Sequence, residues 1–133
     1  MKIGVIGAGV MGRGIAQVSA MAGHQVILFD INFEMLDVAK ASIEKNLTKA
    51  ISLGKATEES KSQAIANLTY SNTIAQVQVD LIIEAIVEKL DVKVKVFNEL
   101  AEINGEDTVY ASNTSSIPLT QIAAQFKYPQ KLV

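Results

Sequence analysis

The chain has no cysteine, one histidine, two prolines and only seven Phe or Tyr side chains among its 133 residues. Without cysteine there is no disulfide framework, no thiolate metal site and no cysteine nucleophile. The same absence fits a cytoplasmic setting. Charge is scarce and balanced, with 12 basic and 14 acidic residues and a formal net charge of −2. That balance suggests neither a nucleic-acid face nor a disordered chain. No stretch approaches the ~18 uninterrupted apolar residues of a membrane span. No internal repeat, low-complexity tract or linker is visible, and the length suits one domain with a substantial core. No cluster of metal-ligating side chains stands out. Lys2, the apolar stretch after it and Ala20-Met21-Ala22 imitate a secretory signal. Arg13 interrupts that stretch, and six glycines before Gln25 suit turns and helix packing better than a signal core. The segment reads as mature fold.

Glycine is concentrated at the start, in Lys2-Ile3-Gly4-Val5-Ile6-Gly7-Ala8-Gly9-Val10-Met11-Gly12. Ile3 to Ile6 reads as a buried strand and Gly12 onward as a helix, so the glycines occupy a strand-to-helix turn. That context turns a weak pattern into a dinucleotide-binding hypothesis. Gly7 permits the tight turn, Gly9 lets backbone approach a pyrophosphate, and Gly12 lets helix and strand pack closely. The helix N-terminus offers unpaired N–H groups and partial positive charge to phosphates. The competing reading is a glycine-rich turn with no ligand. Gln25 to Asp30 is a second strand, and it ends in an acid about 20 residues past the turn, where a carboxylate accepts ribose hydroxyls and repels a 2′-phosphate. Asn32 is the better cap for the following helix, which leaves Asp30 free for the ribose. NAD is favoured over NADP.

Gly14 to Met21 predicts a short helix ending at Gly23. Apolar residues then recur at helical spacing from Phe33 to Leu53, with Gly54 as a stop, and Thr57 caps a further helix running to Leu68. Two successive helices where a crossover needs one predict a hairpin projecting from the sheet after the second strand. Strands follow at Leu68–Ser71, Asp80–Glu84 and Thr108–Ser112, and Lys131–Val133 starts a sixth. Leu90 to Ile103 is an amphipathic helix with Val92, Val96, Phe97 and Leu100 inward and lysines 89, 93 and 95 largely outward. Pro118 to Phe126 is a short helix with Pro118 in its first turn. The alternation predicts an α/β fold, a Rossmann-type doubly wound parallel sheet with a helical hairpin after strand 2.

Ligands bind such sheets at the carboxyl ends of the strands. Three polar clusters fall there: Asp30, Glu84 to Glu88, and Asn113-Thr114-Ser115-Ser116. Each has a plainer explanation, as first-turn acids of a helix or as turn chemistry. Together, beside one glycine turn, they point to a site.

At these clusters the sequence resembles the NAD-binding domain of the L-3-hydroxyacyl-CoA dehydrogenases. The resemblance rests on Gly7-Ala8-Gly9-Val10-Met11-Gly12, Asp80 to Glu88 and Ala111-Ser112-Asn113-Thr114-Ser115-Ser116, and runs over essentially the whole chain. The glycine motif is shared by many dehydrogenases, whereas the other two segments are far more specific. The resemblance implies oxidation of the 3-hydroxyl of an acyl-CoA with hydride passed to NAD, in fatty-acid β-oxidation or butanoate metabolism. It implies that Gly7, Ala8, Gly9, Val10, Met11 and Gly12 hold the pyrophosphate and Asp30 the adenine ribose. Glu88 and Lys93 match positions near the nicotinamide half, and Asn113 belongs with the cofactor contacts. Ser115 matches the serine facing the reacting oxygen and the nicotinamide. On the hairpin, Asn46 and Lys49 fit the face that meets CoA, although Leu53 stands where the family often has lysine. The family continues into a His-Phe-Phe-Asn-Pro segment with the general base, then into a helical domain that closes the cleft and usually makes the homodimer. The chain ends at Val133, before both, so the resemblance implies a domain that binds NAD(H) and is catalytically incomplete by itself. His24, between the first helix and second strand, lies at the wrong end of the sheet to serve as the base. Two rivals remain: a free 3-hydroxyacid dehydrogenase domain, and a crystallin-like structural protein on the same scaffold.

Overall fold

The computed structural model describes all 133 residues. Five strands, β1 (Lys2–Ile6), β2 (Gln25–Phe29), β3 (Leu68–Ser71), β4 (Leu81–Glu84) and β5 (Val109–Ser112), form one sheet in the order β3-β2-β1-β4-β5. All pairs are parallel. In the register, Ser71, Phe29, Ile6, Glu84 and Ser112 stand side by side. The five strands therefore end along one line, and every residue that follows them starts from the same edge. Strand order reverses between β1 and β4, the switch point where such sheets open a crevice.

Helices α1 (Val10–Met21), α2 (Phe33–Ser52) and α3 (Glu58–Ala66) cover one face. Their core joins Ala16 and Ala20 of α1, Leu36, Ala39, Ile43 and Leu47 of α2, and Ala64 of α3 to Ile3, Val5, Val26 and Leu28 of the sheet. α4 (Leu90–Asn104) and α5 (Leu119–Ala123) cover the other face. There Phe97, Leu100, Ile122 and Phe126 pack on Ile6, Ile82 and Tyr110. The helix ends follow from local chemistry. Asn32 Oδ1 accepts from the Glu34 N–H at 3.0 Å, capping α2 as its sequence position predicts. Thr57 and Ser60 form a reciprocal capping box on α3. Gly23 and Gly54 sit past helix ends with φ of +92° and +70°.

Several expectations are corrected. The hairpin of α2 and α3 does not project as a whole, because α2 is buried at four positions from Leu36 to Leu47 and α3 packs back on α1. At the tip, Ser52 to Lys55 are exposed without interruption. α5 is confined to Leu119–Ala123, with Pro118 as its N-cap, since Pro118 has an extended ψ of 128°. The link from β3 to β4 holds only a 3₁₀ turn, Ile74–Gln76. Val77 of this link lies so close over β1 that a Cβ on Gly4 would stand 2.7 Å from its Cγ1. The predicted sixth strand is a single parallel bridge, Tyr110 to Leu132. It is completed by Val133 N–H donating to the Tyr110 carbonyl at 2.8 Å.

Candidate functional site

The turn after β1 is built by three different demands on glycine. Gly7 has φ +106°, and a Cβ there would meet the Ala85 carbonyl oxygen at 2.5 Å. A Cβ on Gly12 would stand 1.7 Å from the Gly7 carbonyl oxygen, so α1 can rest on the turn only through glycine. Gly9, the N-cap of α1, faces nothing within 4 Å. No side chain caps α1, and no acid occupies its first turn. Val10 and Met11, the first helical residues, are exposed, so the free N–H groups of that turn open towards solvent beside Gly9. The arrangement is a cradle for an anion.

Asp30 follows β2 at the same edge. It is not free: Oδ2 accepts from the Ala8 N–H at 2.9 Å and Oδ1 from the Asn32 N–H at 2.9 Å. Each oxygen retains acceptor capacity, and the carboxylate is held half-buried against the glycine turn. From this turn a cleft of about 350 Å³ opens between Asp30, Ile31 and Met35 on one side and Ala85, Ile86 and Val87 on the other. Its walls are almost wholly apolar, with Val92 and Val96 of α4 closing the back.

Beyond the switch point lies a polar network. Glu84, the fully buried last residue of β4, accepts from Lys93 Nζ at 2.6 Å and from the Ile86 N–H at 2.7 Å through Oε1. Its Oε2 accepts from the Ser112 hydroxyl at 2.6 Å. Lys93 also reaches Glu88 Oε1 at 2.9 Å. Glu88 Oε2 accepts from the hydroxyls of Thr114 and Ser116, both at 2.7 Å. The Lys93 ammonium, helped by these two hydroxyls, holds the Glu88 carboxyl at about 2, well below the usual carboxylate range. Glu88 therefore stays ionised at any pH where the protein works.

Two readings of the sequence fail here. Lys93 does not point outward; it is 1 % exposed and lies between two carboxylates. A buried ammonium requires such pairing, and its partner Glu84 is nine residues away. Nor are Glu84 and Glu88 first-turn acids of α4, because Glu84 ends β4 and α4 begins at Leu90 after Lys89 as N-cap. The turn reading of Asn113 to Ser116 is partly right: Thr114 N–H donates to the Ser112 hydroxyl at 3.2 Å, and Ile117 N–H to Thr114 Oγ1 at 3.1 Å. Asn113 is fixed through its N–H, which donates to the Glu84 carbonyl at 2.9 Å. Ser115 is exposed at the crest of this loop, between the two residues tied to Glu88. Sequence reasoning did not single out Glu84, Ser112, Thr114 or Ser116 as one network.

Asn46 and Lys49 are not brought to the cleft, whose lining includes nothing of α2 beyond Met35. Asn46 donates instead to Gln17 Oε1 of α1 at 3.3 Å, and Lys49 is exposed near the end of α2. His24 precedes β2, at the edge opposite the cleft.

The chain as a whole, from the glycine cradle to the loop after β5, is similar to known proteins. Residues 2–133 match the family model of the 3-hydroxyacyl-CoA dehydrogenase, NAD binding domain. The chain belongs to this family. A 3-hydroxybutyryl-CoA dehydrogenase of Bradyrhizobium diazoefficiens is 40 % identical over 133 residues, covering 99 % of this chain and 45 % of the relative. A 3-hydroxyadipyl-CoA dehydrogenase of Escherichia coli is 42 % identical over 131 residues, covering 98 % of this chain and 28 % of the relative. The crystal structure of a 3-hydroxybutyryl-CoA dehydrogenase from Escherichia coli superposes with a TM-score of 0.96 at 41 % identity, over 99 % of this chain and 28 % of the other. The chain thus spans half or less of the length of these relatives. It has the Rossmann-like parallel sheet of that NAD-binding domain, and the family's cofactor is NAD. No helix of this domain is long and apolar enough to cross a membrane.

Proposed function

We propose that this domain supplies the NAD(H) half of an enzyme that interconverts a 3-hydroxyacyl-CoA and its 3-keto form. The single observation that carries the cofactor site is the asymmetry of the glycine turn: backbone crowds Gly7 and Gly12, while open space faces Gly9. A pyrophosphate fits there, on the Gly7, Ala8, Gly9, Val10, Met11 and Gly12 backbone and the N-terminus of α1. Asp30, at the end of β2, is placed to accept the adenine ribose hydroxyls, and its charge disfavours a 2′-phosphate. Across the switch point, at the ends of β4 and β5, Glu88, Lys93 and Asn113 would hold the nicotinamide half. Bound there, NAD supplies the hydride acceptor for the substrate's C3–H.

The residues of this chain bind and orient. Ile86, Val87 and Val92 give the cleft an apolar wall against which the cofactor would lie. Lys93, enclosed by two glutamates, acts through Glu88 by holding its charge and position. Ser115 presents a hydroxyl at the loop crest, suited to donate to the substrate's C3 oxygen where negative charge develops. A base must lie within hydrogen-bond reach of the hydroxyl proton, and no histidine stands at this cleft. By itself the chain binds the cofactor without turning over substrate. Asn46 and Lys49 are assigned to CoA, along the hairpin. Function in fatty-acid β-oxidation or butanoate metabolism, a cytoplasmic location and a homodimeric complete enzyme complete the reading. Its support is the kinship with 3-hydroxybutyryl-CoA dehydrogenases.

The test is a titration of the chain with NADH, following nicotinamide fluorescence, and with NADPH in parallel. Saturable binding with NADH preferred by at least tenfold is expected. Equal affinity for both would remove Asp30 from its role, and binding of neither would overturn the cofactor site.

A further inference from the structure

We propose that Glu84 is a positioning residue for the nicotinamide half of the cofactor, an assignment that rests on the cofactor reading above. One buried side chain contacts three separate segments: the cleft wall through the Ile86 N–H, α4 through Lys93, and the end of β5 through Ser112. Its own carbonyl takes the Asn113 N–H, the first bond of the loop that carries Ser115. Through Lys93 it sets Glu88, and Glu88 in turn holds Thr114 and Ser116 on either side of Ser115. The polar ties from the sheet to that loop lead back to Glu84, one through its carbonyl and the others through its carboxylate.

Stability alone does not account for a charge here. An ion pair in the interior has to recover a large desolvation cost, and apolar replacements of similar volume often hold a fold as well or better. A fully connected polar network confers direction instead, since its hydrogen bonds fix the angles at which its members stand. Glu84 sits beside Ile6 at the switch point, on the side away from Asp30. The adenine half, held at β2, is therefore outside its reach, and the nicotinamide half, laid over β4 and β5, is within it.

The experiment compares two ligands, NADH and ADP-ribose, on the unaltered chain and on Glu84→Gln, which keeps the shape and removes the charge. Glu84→Gln is expected to raise the Kd for NADH about tenfold, the scale of one oriented hydrogen bond lost. The Kd for ADP-ribose, which lacks the nicotinamide, stays within twofold. Ser112→Ala, which removes the tie from Glu84 to β5 and with it the acceptor of the Thr114 N–H, shifts NADH in the same direction with the same split, and decides the matter if Glu84→Gln does not fold. Equal weakening of both ligands would make Glu84 a structural residue and overturn the proposal, as would no change in either. Failure of the unaltered chain to bind both ligands is a separate result: it overturns the cofactor site itself and the positioning role with it.

Discussion

A Cβ at Gly12 would stand 1.7 Å from a backbone oxygen, whereas one at Gly9 would meet nothing within 4 Å, so two glycines of one motif answer to different demands. Gly12→Ala must push α1 off β1, and backbone cannot yield as a flexible side chain can. A loss of about 3 kcal/mol or more is expected, at the upper end of overpacking costs, read as a fall in Tm without ligand. Gly9→Ala is expected to cost about 1 kcal/mol or less, the scale of an N-cap change, while NADH affinity collapses because the methyl fills the phosphate's space. Thermal melts and NADH titrations of both variants check this; comparable Tm losses in the two would refute the division of roles. The motif was legible in sequence because its constraints are on the backbone and its members lie within one turn. Lys93 was not. A helical pattern assigns a lysine to water by default, and what overrides that default is a carboxylate on another element. Asp30 was half legible: its position is set by the strand's length, but its bond to the Ala8 N–H joins two turns 22 residues apart.

At the level of elements, α3 shows how local chemistry and tertiary placement divide the work. Its nine residues are too few for a stable isolated helix, and it buries only Ala64. The Thr57 capping box therefore carries an unusual share of its definition. Thr57→Ala is expected to lower stability by about 1 kcal/mol in chemical denaturation, with NADH affinity unchanged within twofold because α3 lies behind α1 and away from the cleft. A matching loss of NADH affinity would mean that the hairpin holds the cofactor turn in place, contrary to this layering. The strands, the order of helices and this cap were readable from periodicity and punctuation, which are local. The seating of the hairpin on α1 was not, because helical spacing reveals an apolar face without naming its partner. The β3-to-β4 link escaped for a related reason: Val77 and Val79 look like any short apolar pair until Gly4, far back in sequence, gives them room.

On the scale of the whole molecule, two separate cores share a single sheet. Tyr70 packs against the first core and Tyr110 lies within the second. The cofactor cleft opens at the edge common to both, since its lining includes Met35, at the border of the first, and Ile6 and Phe29, in the second. A ligand bound only to the folded form stabilises it by RT ln(1 + [L]/Kd), about 2.7 kcal/mol at a hundredfold excess over Kd. If the strands β2, β1 and β4 couple the cores, that energy is felt by the entire domain. NADH at this excess is expected to raise a single Tm by on the order of 10 °C for a domain of this size, and NADPH at the same concentration by much less. The chain contains no tryptophan, so near-ultraviolet signals report the tyrosines and can be set against far-ultraviolet dichroism of the backbone. Coincident curves that move together with NADH would show one cooperative unit. Two transitions, with only the later one moved, would mean that the cores unfold separately and that the cleft belongs to one of them; the sheet would then be a shared surface and not a coupling element.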